Sequence, residues 1–136
     1  MRFVDANIFL RYLVDSDPVK ARACRELFRR VQAGDGVVAT AEVIIAEVAY
    51  VLRSRAHYAL TPPEIAERLR PLIALRGLKL DHKGVCLRAL EVWEQHPALD
   101  FEDAMIVAHV ERMGETEVYS YDRDFDGVEG VTRVEP

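Results

Sequence analysis

Residues 100–122 read "DFEDAMIVAHVERMGETEVYSYD", and the fold turns on how this stretch divides. Asp100 and Asp103 stand three apart, just before the apolar run Ala104-Met105-Ile106-Val107-Ala108. A run that is apolar on every side is buried if it is helical. Asp100 suits the N-cap of that helix, acids in the first turn suit its dipole, and Gly114 is a fitting stop. "EVYS" then reads as a strand, with Asp122 just beyond its end. Within this stretch, capping explains the two acids as well as chemistry does.

The same alternation runs outward. "RFVDA" (2–6) is a short strand reaching Asp5, and "NIFLRYLV" (7–14) reads as a helix opening at Asn7. "SDPVKARACRELFRRVQAG" (16–34) has Asp17 as cap, Pro18 in the first turn and Gly34 as stop, with Ala23, Leu27 and Val31 as its apolar stripe. "GVVAT" (36–40) predicts a second strand, followed by a helix from Thr40 to about Arg55. "TPPEIAERLRPLIAL" (61–75) opens with a capping box, Thr61 to Glu64, and Pro71 is expected to kink or split it. "LKL" (78–80) is a third strand, 83–96 a helix with Cys86, Leu90 and Trp93 inward, and "GVTRV" (130–134) a fifth strand at the edge. Strands alternating with helices imply α/β architecture, a central parallel sheet of four to five strands covered on both faces in three layers. A chain of 136 residues fits a single domain spanning 1–136. Sites in such sheets lie beyond the carboxyl ends of the strands, which singles out Asp5 and Asp122.

The formal net charge is −5, from 23 acids against 18 bases, which argues against nucleic-acid binding through overall charge. It leaves room for a local basic patch. All but three of the bases, Lys20, Lys79 and Lys83, are arginine, the residue suited to bidentate phosphate contacts. Two cysteines, Cys24 and Cys86, in no metal-like spacing, suit a reduced cytoplasmic protein. Asp5 and Arg11 break the apolar N-terminal run, so neither a signal peptide nor a membrane span is expected.

Glu47 is the only charge in "VIIAEVAYVL" (43–52), and no Lys or Arg stands at i±3 or i±4. A helix of that composition is expected to be buried on most sides, where an unpaired carboxylate costs several kcal/mol. A distant arginine, a groove reaching water, or a functional role would each account for it. Asp5 can cap a helix and Asp122 can serve a turn; Asp124 and Asp126 suit turn positions better. Several carboxylates at one sheet end would repel without a cation, and all-oxygen donors select Mg²⁺ or Mn²⁺ over zinc. The four histidines form no ligand pair, and no phosphate loop, nucleophile elbow or dinucleotide fingerprint is present.

Taken in order, "FVDANIFLRYL", "AEVIIAEVAYVLR", "LDFEDAMIVAHVERMG" and "VYSYDRDFDGVEGV" span nearly the whole chain. In this order they resemble the PIN-domain ribonucleases, specifically the VapC-type toxins of bacterial and archaeal toxin–antitoxin pairs. The resemblance carries the family's acidic positions onto Asp5, Glu47, Asp103 and Asp122, with Asp100 and Asp124 at less regular acidic positions. Asn7 and Ser120 match the small polar residues beside the first and last acids; Ser120 stands where Thr is usual and keeps the hydroxyl. The resemblance implies hydrolysis of RNA phosphodiesters with one or two Mg²⁺ or Mn²⁺ ions, with Asp5, Glu47 and Asp103 as ligands and Asp122 holding a second ion or orienting water. It further implies an antitoxin that presents a basic side chain to the acidic cleft, and a homodimer. Asp100 is expected to cap its helix while Asp103 faces the metals, and Arg11 and Arg53 to grip RNA. The rivals are a metal-dependent phosphatase, which would want D-x-D where Asp5-Ala6-Asn7 stands, and a non-catalytic PIN-like scaffold.

Overall fold

The computed structural model describes residues 1–14 and 17–136. Three short strands, β1 (Arg2–Phe3), β2 (Val38–Ala39) and β3 (Leu78–Lys79), form a parallel sheet in the order β1-β2-β3. The register sets Arg2 opposite Val38 and Val38 opposite Leu78. A second parallel pair joins β4 (Glu117–Tyr119) to β5 (Thr132–Val134). All five expected strands are present and parallel, divided between these two hydrogen-bonded pieces. Backbone bonds extend the pairing past the strand ends, from Val4 N–H to the Ala39 carbonyl at 2.7 Å and from Thr40 N–H to that of Lys79 at 2.9 Å.

Among the described residues, six helices connect the strands: α1 (Ala6–Leu13), α2 (Pro18–Ala33), α3 (Glu42–Arg53), α4 (Pro62–Ile73), α5 (Lys83–Gln95) and α6 (Phe101–Arg112). Their ends follow the sequence signals. Asp17 accepts from the Lys20 N–H, Gly34 closes α2 at φ 85°, and Thr61 with Glu64 makes both bonds of a capping box. The Ser16 placed at the head of the second helix lies outside the described residues. Gly77 precedes β3 where a Cβ would fall 2.8 Å from the Gly36 carbonyl oxygen, so only glycine lets the chain pass there.

Three expectations need correction. α4 is not split by Pro71 but runs on to Ile73, the proline costing the last turn only its own bond to the Glu67 carbonyl. The buried stripe of α2 is Ala21, Cys24, Phe28 and Val31, with Ala23 exposed and Leu27 only half-buried. Phe28 sets that rotation by packing against Phe9 and Tyr12 of α1, at ring-centroid distances of 5.4 and 5.1 Å. Finally, α3 is not buried on most sides. Ile45, Val48, Ala49 and Leu52 face the core, while Val43, Glu47 and Tyr50 lie on the exposed face. Glu47 therefore keeps its water and needs no buried partner.

One connected core links residues from Val4 to Val128, and Trp93 is its largest fully buried side chain. The Trp93 indole N–H donates to the Leu99 carbonyl at 2.7 Å, and its ring lies 5.4 Å from that of Phe101. Both contacts fix the short turn from α5 into α6. They thereby fix where Asp100 and Asp103 begin. Along α6, Ala104, Met105, Val107 and Ala108 are buried as expected, and Ile106 is 41% exposed.

Candidate metal centre

Asp103, Asp122 and Asp124 come together from two separate elements. One carboxylate oxygen from each lies within 4.8 Å of the others, with Asp103 half-buried and the other two exposed. Asp103 is placed by the first turn of α6. Asp122 and Asp124 ride on the loop after β4, which turns through a 3₁₀ segment at Arg123–Gly127.

That loop is tightly specified. Ser120 Oγ accepts the Asp122 N–H at 2.9 Å, and Asp122 Oδ1 accepts the Asp124 N–H at 2.9 Å. Phe125, 2% exposed, anchors the segment in the core. The short polar side chains of "SYDRD" thus fold the loop on its own backbone, as Asp and Ser do in turns.

At the start of α6 the expected capping bond is not made. Asp100 occupies the N-cap position, but its side chain makes no capping bond. The Asp100 backbone N–H instead lends some support to the charged form of the Asp103 carboxylate. Asp103 stands at the third helical position, from which an acid can reach back to the N-cap amide, as the acidic half of a capping box does. The Asp100 carboxylate is left to act through its charge alone.

Burial, and then the charges of Asp122, Asp100 and Asp124, push the Asp103 carboxyl above its usual range. Among the described residues, no ion pair neutralises these three acids. Crowded carboxylates of this kind are what a divalent cation relieves. The donor set is all oxygen, which suits a hard ion such as Mg²⁺ or Mn²⁺. The residues present fit such an ion.

The remaining predicted residues lie outside this trio. Asp5 caps α1, its Oδ1 accepting the Asn7 N–H at 3.1 Å, and both residues are exposed. It follows β1, where the Thr40 hydroxyl donates to the Val4 carbonyl at 3.0 Å and holds the strand ends together. Thr40 is buried, and it is a supporting residue the sequence reading passed over; its one signal was a hydroxyl closing an apolar strand. Glu47 stands on the exposed face of α3. Arg11 sits half-buried on α1, and Arg53 Nη1 donates weakly to the Leu60 carbonyl at 3.4 Å. Arg53 also lines a recess of about 130 Å³ with Tyr50, Trp93, Asp100 and Glu102.

A family model, PIN domain, matches residues 2–131. The chain belongs to the PIN domain family. No match is found among curated proteins. Among solved structures, this PIN domain is similar to Mycobacterium tuberculosis VapC20, a sarcin–ricin loop cleaving toxin, at 19% identity over 100% of both chains with a TM-score of 0.41. Among the described residues, no helix is long and apolar enough to cross a membrane.

Proposed function

We propose that this PIN domain is a divalent-metal-dependent endoribonuclease and acts as the toxin of a VapC-type toxin–antitoxin pair in the cytoplasm. The observation that carries the reading is the trio Asp103, Asp122 and Asp124, converging without a cationic partner among the described residues of a PIN domain. The ordered sequence motifs supply the toxin part.

Asp103, Asp122 and Asp124 would hold the ion, Mg²⁺ or Mn²⁺. Bound there, it would acidify water and offset the charge that builds on the phosphodiester during attack. Asp103, half-buried in the first turn of α6, contributes the least exposed carboxylate. Asp122 keeps Oδ1 on the Asp124 amide and has its second oxygen for the ion or for orienting water. Asp5 and Glu47 complete the acidic set by resemblance, reaching the ion directly or through water or a second ion. Asn7 and Ser120 support them; Ser120 does so by shaping the loop. Arg11 and Arg53 would meet the RNA backbone, Arg53 from beside Asp100.

The partners proposed are an RNA substrate, an antitoxin that places Arg or Lys against the acidic trio, and a second copy of the chain. Charge complementarity supports the antitoxin contact. Val43 and Tyr50, 72% and 65% exposed on α3, support an apolar interface between copies. We take residues 1–136 as one functional unit.

The test is incubation with candidate RNAs in Mg²⁺, Mn²⁺ or EDTA. Cleavage in metal, absent in EDTA and lost in Asp103→Asn, is expected. RNA binding that persists without cleavage in any metal would favour the scaffold reading.

A further inference from the structure

Arg133 lies on β5, and its side chain is only 11% exposed. Its guanidinium makes four contacts. Nε donates to Asp126 Oδ1 at 2.8 Å and Nη2 to Asp126 Oδ2 at 3.4 Å. Nη1 donates to the Ser120 carbonyl at 3.2 Å and to Glu135 Oε1 at 2.7 Å. Ser120 and Asp126 bracket the segment that carries Asp122 and Asp124. A single planar fork therefore closes both ends of the loop, which a flexible ammonium could not do.

We infer that Arg133 is the positioning residue of the carboxylate site, holding the 120–126 loop in the shape that keeps Asp122 and Asp124 beside Asp103. The inference rests on the metal-site reading above for its consequence, but the clamp itself is geometric. Arg133 touches none of the trio. Its charge is met by Asp126 and Glu135, so it shapes the site without competing with a cation for it. Phe125 pins the middle of the loop in the core, and Arg133 pins its ends. Groups that orient metal ligands in this way typically change metal affinity about 10- to 100-fold when removed.

The test compares wild type with Arg133→Met, Arg133→Lys and Asp126→Asn, the last in case the arginine variants do not fold. Two readouts are taken on the intact chain: amide hydrogen exchange along the sequence, and Mn²⁺ affinity by electron paramagnetic resonance. In Arg133→Met, exchange over 120–126 should quicken about tenfold while α6 keeps its protection, since loops open locally. Mn²⁺ affinity should fall about 10- to 100-fold. Arg133→Lys and Asp126→Asn should fall between Arg133→Met and wild type. Unchanged exchange over 120–126 overturns the inference, as does faster exchange with unchanged Mn²⁺ affinity. Loss of protection throughout the chain overturns it too, because Arg133 would then serve general stability. If wild type binds no Mn²⁺, the metal reading fails by itself, and the exchange pattern alone decides whether Arg133 holds the loop.

Discussion

The two ends of α6 handle acidic residues in opposite ways. At its start, Asp103 sits beside Asp100, Asp122 and Asp124, and its carboxyl is pushed up by burial and by their charges. At its end, Glu111 receives a two-point bond from Arg88 of α5, Nε to Oε2 at 2.8 Å and Nη2 to Oε1 at 3.1 Å. That contact holds the Glu111 carboxyl below its usual range. One helix therefore carries an acid that is already paired and an acid whose charged neighbours repel it. The second kind costs stability in the empty protein, and only a ligand returns it. Functional carboxylates are recognised by this imbalance more than by their number.

The largest expected effect separates the two ends by activity. Asp103→Asn should lower RNA cleavage more than about 100-fold, because a lost ligand removes several kcal/mol of charge stabilisation. Glu111→Gln should stay within about twofold, since surface ion pairs contribute little. Initial rates on one RNA in Mg²⁺ decide it, and near-normal cleavage by Asp103→Asn would collapse the contrast.

Next in size is the response to metal. A ligand present at about 100 times its Kd stabilises the native state by about 2.7 kcal/mol. Thermal melts in EDTA and in Mg²⁺ should show this rise in Tm for wild type and Glu111→Gln, and little or none for Asp103→Asn. Equal responses from all three would place the ion elsewhere.

The pH dependence of the metal-free protein should have opposite sign at the two ends. Asp103 binds its proton more tightly folded than unfolded. Its cost is therefore absent below the unfolded value of about 3.9 and complete once the pH exceeds the folded value. In EDTA at pH 7, Asp103→Asn should melt on the order of a few degrees above wild type, and the gap should close below about pH 4. Glu111 stabilises above its unfolded value of about 4.3 and loses that contribution as the pH falls through its lower folded value. Melts from pH 3 to 8 would show a Glu111→Gln deficit that fades in acid. A shared sign would refute the comparison.

The smallest effect concerns the acids on the surface. Glu111→Gln should cost about 0.2–1 kcal/mol at pH 7, the range for a half-exposed pair. Glu47→Gln in EDTA should change stability by less than about 0.5 kcal/mol, as exposed substitutions do. Denaturant unfolding measures both. A loss of several kcal/mol from Glu47→Gln would mean a buried partner after all.

The fold was largely legible from local signals. Asp17, Pro18 and Gly34 bound α2, Thr61 and Glu64 open α4, and the spacing of short β-rich segments between helices already implies parallel pairing. The site was legible in part. Asp103, Asp122 and Asp124 were all candidates, but Asp124 was read first as a turn residue, and it is both: its amide is taken by Asp122 and its carboxylate joins the trio. Glu47 misled because composition was taken for burial. Val43 and Tyr50 put apolar side chains on the outer face of α3 beside Glu47, so composition alone does not tell which side meets water.

By itself the sequence determined roughly where helices start and stop, which segments are strands of parallel pairing, and which residue types could bind a hard cation. These depend on the chemistry of a few neighbouring residues, so they survive in a one-dimensional reading. Only the tertiary structure decided which face of α2 and α3 turns inward. It alone showed that the Asp100 side chain makes no capping bond while Asp103 is crowded by acids, and that Arg133 closes the loop bearing Asp122 and Asp124. Each of these rests on groups brought together in space: the rings of Phe9 and Phe28, the turn fixed by Trp93, the guanidinium beside Ser120 and Asp126. A carboxylate's charge state, and hence its readiness for a metal, depends on distances to groups far away in the chain, and those distances are set only when the core closes.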